Sequence, residues 1–263
     1  MKLITYILTH KKIEHDIDSY CVPLLVGAES QKNTNGYQVD NTGDNISRLN
    51  KYYAELTGEY WAWKNSNTDI IGFFHYRRFL VKDLFLNKLK KEDIESYLIG
   101  NDIILPKKYK THRSLYNHLD KTEKKSKIGP KIKEYDKLRS VIKEGFPEYL
   151  DTYDDILNGN ETYWCNMFIC NKKIADDYFK WLFEILKKME TKINFEEYPD
   201  NNQRLLGYFS ETLLYVYIKK HQLKIKETYL YLTDKKFPKL NFLITRIPII
   251  SNILLYIHNK FLL

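Results

Sequence analysis

The sequence predicts an α/β protein built on a mostly parallel open sheet flanked by helices, with a helical C-terminal region. Three observations carry that expectation. Residues 2–8 and 69–74 are short apolar runs rich in β-branched side chains, as in strands buried on both faces. Between them Ile46, Leu49, Tyr53, Leu56, Tyr60 and Trp63 recur at alternating spacings of three and four, the stripe of an amphipathic helix. Strand, helix and strand in that order make a βαβ arrangement, the unit of parallel sheets.

Each element has its own local reason. The first strand stops at Thr9-His10-Lys11. Residues 20–29 (YCVPLLVGAE) read as a second strand, with Pro23 near its start and Gly27 at its end, before a polar loop. The helix is expected over 44–65, with Asp44 where an N-cap belongs and Asn65 past the last periodic residue. Gly58 costs that helix about 1 kcal/mol relative to Ala, which a close packing contact would explain. Strand 69–74 runs into His75-Tyr76-Arg77-Arg78, and a further short strand covers 102–106. Residues 107–139 then carry 12 Lys/Arg against four Asp/Glu. Helical patterning resumes over 140–159, Trp164 to Cys170 (WCNMFIC) reads as a strand, and two long helices follow, ADDYFKWLFEILKKME and QRLLGYFSETLLYVYIKKHQ.

One domain is expected over residues 1–234. From residue 235 to 263 the chain has five basic residues, no acidic ones and many large apolar side chains, with no uncharged run long enough to span a bilayer. Such a segment suits the interface of an anionic membrane; the alternative is docking on the domain or on a second copy of the chain, a homodimer. The opening MKLITYILTHKK is too short and too interrupted for a signal peptide, so a cytoplasmic protein, peripheral at the inner face of the cell membrane, is expected.

The formal charge of +8 raises nucleic acid as a partner, but only seven of the 42 basic residues are Arg, the side chain best suited to reading bases and clamping phosphates. No nucleic-acid partner is therefore expected. Cys21, Cys165 and Cys170 are too few for a disulfide framework or a zinc site and read as small hydrophobes. Glycine-rich phosphate loops, G-x-S-x-G and H-E-x-x-H are all missing, which argues against the common hydrolases, dehydrogenases and kinases.

The most informative tetrapeptide is His75-Tyr76-Arg77-Arg78. Two guanidinium groups at the carboxyl end of a buried strand would face the crevice where ligands gather in α/β sheets, and could neutralise a diphosphate, with His75 adding a hydrogen bond. The alternative is one salt bridge and one solvated Arg. The blocks DNTGDNISRLNKYYAELTGEYWAWKN, IGFFHYRRF, CNMFIC and QRLLGYFSETLL, in that order over residues 3–230, resemble a bacterial family first catalogued as a domain of unknown function, encoded in capsular and exopolysaccharide loci.

That resemblance implies a GT-A-like glycosyltransferase moving a hexose (galactose, galactofuranose or glucose) from a UDP-sugar to a lipid-linked pyrophosphate oligosaccharide. Relatives of that fold hold a divalent metal with Asp-x-Asp where this chain has H-Y-R-R, so two fixed cations would replace the metal; Asp16-Ile17-Asp18 reads as a solvated helix start. Thr9 and His10 would face the nucleoside. Asp44, Asn45 and Asn50 at the start of the signature helix, and Trp61, Lys64 and Asn65 at its end, would complete the donor site with His75, Tyr76, Arg77 and Arg78. Capping is the alternative for Asp44 and core packing for Trp61. Glu211, a carboxylate within an apolar helix, is the expected general base and Asp200 the second choice. Members of the family tend to have Arg after that Glu, where this chain has Thr212. Asn166, His112 and His118 would meet the acceptor, with the basic 107–139 segment receiving its pyrophosphate; a solvated Lys-rich loop is the alternative there. The competing reading is a non-enzymatic module that binds a nucleotide-sugar or an anionic glycan.

Overall fold

The expected βαβ unit stands at the N-terminal end of the chain. The computed structural model describes residues 1–233; the expectations for residues 235–263 lie outside them. Strand β1 (Leu3–Thr9) lies between β2 (Cys21–Leu25) and, beyond a crossover of two short helices, β4 (Ile70–His75); both pairings are parallel. A two-residue strand, β3 (Gln38–Val39), extends β2. The crossover helices are α1 (Asn50–Tyr53) and α2 (Leu56–Asn65). Side chains of β1 alternate across the sheet: Tyr6 and Leu8 enter the larger core, Ile7 the smaller one behind it. Gly58 has the contact anticipated for it, since a Cβ there would come within 2.7 Å of Val26 Cγ1 and 2.8 Å of Leu8 Cδ2.

The rest of the chain departs from a parallel open sheet. Strand β4 turns through Tyr76-Arg77 directly into β5 (Arg78–Val81), which is followed by α3 (Lys91–Gly100), β6 (Ile103–Pro106) and β7 (Tyr109–Lys110). Helices α4 (Leu115–Ser126), α5 (Ile132–Gly145) and α6 (Leu150–Asn158) lead to β8 (Glu161–Thr162), which pairs with β7, and to β9 (Ile169–Asn171). Helices α7 (Lys172–Glu190) and α8 (Leu205–Lys220) precede the last described strand, β10 (Ile225–Leu232). The main sheet runs β3-β2-β1-β4-β5-β10-β6-β9. Strand β10 is antiparallel to β5 and parallel to β6, and β9 is antiparallel to both β4 and β6. Strands β4, β5, β10, β6 and β9 thus close into a barrel-like ring, and the sheet is mixed. Gly72 lies where β9 crosses β4: a Cβ there would sit 2.8 Å from Ile169 Cγ1 and 2.9 Å from Thr5 Oγ1.

Three further expectations are corrected. The helix over 44–65 starts only at Asn50 and breaks at Ala54, whose φ of 50° and ψ of −128° leave the helical region. The run 164–170 is a strand only from Ile169, because Cys165 (φ 85°) and Asn166 (φ 47°) turn left-handed. The basic 107–139 segment is no loop: most of it forms α4 and α5, with Lys124 paired to Asp120, Lys133 to Glu197, Lys137 to Glu134 and Arg139 to Asp154. Among the described residues no helix is long and apolar enough to cross a membrane.

The larger core contains a carboxylic acid. Glu59 on α2 is 1% exposed, and neither of its side-chain oxygens has a hydrogen-bond partner. Burial, then the nearby charge of Glu55, raises its pKa well above the ordinary value of 4.5, so Glu59 keeps its proton when folded. The unfolded chain releases that proton above pH 4.5, so this group lowers stability as pH rises towards neutrality. Replacing Glu59 with Leu should therefore stabilise the protein by about 1–3 kcal/mol at pH 7 and by less at pH 4. Urea denaturation at the two pH values checks this, and a variant less stable than wild type at pH 7 contradicts it.

Candidate active site

The carboxyl ends of β1 and β4 open into a cleft of about 620 Å³. Its floor follows from the tight β4–β5 hairpin, which pairs His75 with Arg78 and presents Tyr76 and Arg77 at the turn. His10, next after β1, stands edge-on to the Tyr76 ring with centroids 4.9 Å apart, and the Arg77 guanidinium lies 4.7 Å from the centre of that ring. Burial, with Lys11, Arg77 and Arg204 adding their charges, lowers the pKa of His10. Four cationic side chains line the cleft, Lys51, Arg77, Arg78 and Arg204, together with three carboxyl groups, Glu55, Asp200 and Glu211.

One turn organises the wall beside the hairpin. The peptide N–H of Cys165 donates to Glu211 Oε1 at 3.0 Å, and the Cys165 carbonyl accepts from His75 Nε2 at 2.8 Å. A carbonyl can only accept, so His75 carries its proton on Nε2 and spends that donor on the protein. Burial also lowers the pKa of His75. Its sequence-based role as a phosphate donor is thus replaced by one of tying β4 to the turn. Asn166, 2% exposed, directs Nδ2 at Ser210 Oγ (2.7 Å), the Gly207 carbonyl (3.2 Å) and Glu55 Oε1 (3.2 Å). It touches α8 and the break between α1 and α2, and it does not line the cleft.

The break itself is pinned from within. Asn50 Nδ2 donates to the Ala54 carbonyl at 2.7 Å and to Thr57 Oγ1 at 3.0 Å. A left-handed alanine costs about 1–3 kcal/mol, and what it gives is the placement of the next residue, Glu55, in the cleft wall. Glu211 reaches the same cleft from α8, and its pKa is pushed up to about 8 by burial and by the charge of Glu55; the Cys165 N–H, Arg78 and Arg204 act in the opposite direction. At pH 7 it holds its proton.

The structure therefore brings together His10, Asn50, His75, Tyr76, Arg77, Arg78, Asp200 and Glu211 of the expected residues. Asp200 sits at the rim, its side chain 89% exposed and ion-paired with Lys51 at 3.0 Å. Thr9 is fully buried and closes a local turn with Lys11. The expectation fails for Asp44, Asn45, Trp61, Lys64 and Asn65. A crossover helix runs antiparallel to the strands it joins, so its first residues stand at the cleft and its last ones, Trp61, Lys64 and Asn65, lie at the other end of the strands, where the loop that holds Asp44 and Asn45 packs against them. There Asn65 clasps the backbone of Asp44, Tyr60 donates to Asp44, Asn45 bonds the Gly43 carbonyl, Trp61 donates to Thr42 and Lys64 lies over the Trp63 ring. His118 forms a ring cluster with Tyr109 and Trp164, the residue before Cys165; His112 lies just beyond β7.

Sequence reasoning missed Lys51, Glu55 and Arg204. The available signals were two charged residues off the apolar stripe of the first helix and one of seven arginines just before the last. Asp16 and Asp18 line a separate, more apolar cavity, where Asp18 pairs with Lys88. Among the described residues no group of three or more His, Cys, Asp or Glu is arranged to hold a metal ion. The hairpin that ends β4 is cationic and offers no carboxylate to a divalent ion.

This α/β architecture is shared with a glycosyltransferase. The apo structure of the bifunctional glycosyltransferase WbbM superposes with a TM-score of 0.81 at 30% sequence identity, over 89% of this chain and 46% of that one. The chain thus spans less than half the length of that protein. Residues 4–222 match the family described as Domain of unknown function (DUF4422), and the chain belongs to that family. No curated protein sequence matches it.

Because Asn166 combines a left-handed backbone with two buried acceptors and a half-buried one, Asn166→Ala should cost about 2–3 kcal/mol in urea denaturation. An unchanged unfolding midpoint contradicts the assignment of this turn as the anchor of the cleft wall.

Proposed function

We propose that the protein is a glycosyltransferase that moves a hexose, galactose in either ring form or glucose, from a UDP-sugar to a lipid-linked pyrophosphate oligosaccharide. One observation carries this reading: Arg77, Arg78, Arg204 and Lys51 converge on the same cleft as three carboxyl groups, in a chain that shares its fold with a glycosyltransferase. On a GT-A-like reading of the β1–β4 half, the nucleoside enters beside His10 at the end of β1 and the diphosphate lies against the β4–β5 hairpin. When the bond to the sugar breaks, negative charge develops on UDP, and fixed guanidinium groups stabilise it without reorganisation. Fixed cations at the hairpin favour a donor site that works without a divalent metal.

The acceptor enters past Asp200 and the rings of Tyr109, His118 and Trp164, where sugar faces can stack on aromatic ones. Residues 235–263, basic and apolar, bring the active site to the anionic inner face of the membrane, where a lipid-linked acceptor resides. The placement in capsular or exopolysaccharide synthesis rests on the family resemblance.

The test is UDP release from UDP-sugars in excess EDTA. Turnover should persist, and Arg77→Ala and Arg78→Ala should each weaken UDP binding by about 10- to 100-fold, the loss of a charge-assisted hydrogen bond. Activity lost in EDTA and restored by Mn²⁺ or Mg²⁺ contradicts the metal-independent site. Tight UDP binding with no turnover would make the protein a nucleotide-sugar binding module instead.

A further inference from the structure

Two carboxylic acids reach the cleft from different elements, and the structure treats them differently. Glu55 follows the left-handed Ala54 at the one break in the crossover helix, and Asn166 holds its Oε1. The amide orientation is fixed, because the Gly207 carbonyl that shares Asn166 Nδ2 can only accept. Glu211 lies within α8, among residues that are mostly buried, and receives only the Cys165 N–H among the hydrogen bonds seen.

From this placement we infer that Glu55 is the catalytic base that receives the acceptor's proton, and that Glu211 is a positioning residue held beside it. The assignment rests on the transfer reaction proposed above. Each carboxyl group lines the cleft and accepts one hydrogen bond, but Glu55 stands at the helix break, whereas Glu211 lies in the middle of α8 among mostly buried residues. The raised pKa of Glu211, about 8, agrees with that division, because a carboxyl group already protonated at pH 7 cannot take a proton from a hydroxyl.

The step balances in its atoms and electrons. The acceptor O–H gives its proton to Glu55 Oε2, the oxygen that Asn166 leaves open. The acceptor oxygen bonds to the anomeric carbon from the face opposite UDP, and the bond from that carbon to the diphosphate oxygen breaks. Its electron pair leaves on UDP, beside Arg77 and Arg78. The product carries the inverted anomeric configuration, and Glu55 returns its proton to solvent.

The groups around the pair come from several elements. Glu211 is influenced by Glu55, by Arg78 of β5, by Arg204 before α8 and by the Cys165 N–H. It acts in turn on Cys165 and on Tyr135 of α5. Glu55 acts on Glu211, on Cys165, on His75 of β4 and on Glu59 one turn along α2.

The experiment compares wild type, Glu55→Gln and Glu211→Gln by the pH dependence of UDP release from UDP-galactose in either ring form and UDP-glucose, with water as acceptor. Thermal melts confirm that each variant folds, and UDP titrations give donor affinity. Glu55→Gln should lower kcat by about 10²- to 10⁴-fold with UDP affinity within about twofold. Glu211→Gln should lower kcat by no more than about tenfold. In wild type, UDP affinity should fall as Glu211 ionises through pH 8, and Glu211→Gln should abolish that inflection. An active wild type whose Glu55→Gln variant is equally active, or whose Glu211→Gln variant is the more damaged of the two, overturns the assignment alone. A folded wild type that releases no UDP from any of these donors overturns the transfer reading and this assignment together.

Discussion

The cleft depends on two residues that no helix or sheet holds in place by its own periodicity. Cys165 and Asn166 both turn left-handed just before β9, where a β-branched or bulky residue would be strained. Through backbone and side chain, this turn meets His75 at the end of β4, Glu55 at the helix break, and Gly207, Ser210 and Glu211 on α8. Strand β9 then crosses both β4 and β6, and Gly72 makes room for it. Closing the sheet and building the wall of the site are one event, because the segment that turns at Asn166 is the segment that completes the ring.

Charge is distributed around that wall in a way that chemistry can use. The cations stand on the β4–β5 hairpin, at the start of α8 and on α1, while Glu55 and Glu211 stand together beside the turn. A buried carboxyl group that keeps its proton adds no repulsion to an incoming anion, and the low dielectric that neutralises it also strengthens the pull of the arginines. On the proposed function, one half of the cleft receives the charge that leaves with the diphosphate and the other half receives the proton that leaves the acceptor.

Much of this was legible in the residues, and the limits have physical causes. Strands buried on both faces announced themselves: β1, β2, β4 and β6 lie where their apolar runs predict. Strand β10 did not, because it is only partly buried along most of its length and its short run Tyr229 to Leu232 follows the charged pair Lys226-Glu227, and with it went the mixed, closed character of the sheet. The apolar stripe over 44–65 located the crossover but hid its break, since Ala54 betrays no left-handed conformation by its identity. The same stripe misplaced Trp61, Lys64 and Asn65, for hydrophobic spacing gives the buried face of a helix and says nothing of which end meets the ligand. H-Y-R-R was found because two of seven arginines sit side by side at a strand end. Glu55 was missed because a charged residue off the apolar stripe of a helix reads as an ordinary solvated surface group.

The net charge of +8 also takes a different meaning. Much of the basic segment over 107–139 forms α4 and α5 and is tied to acids, so the cations that matter most are the few at the cleft. The most direct test of the account is a crystal structure with UDP soaked into the protein. The account predicts the uracil ring beside His10 at the end of β1 and the diphosphate within hydrogen-bonding distance of Arg77, Arg78 or Arg204. Ordered UDP at the other end of the strands, near Asp44 and Asn65, or in the cavity lined by Asp16 and Asp18, would contradict it.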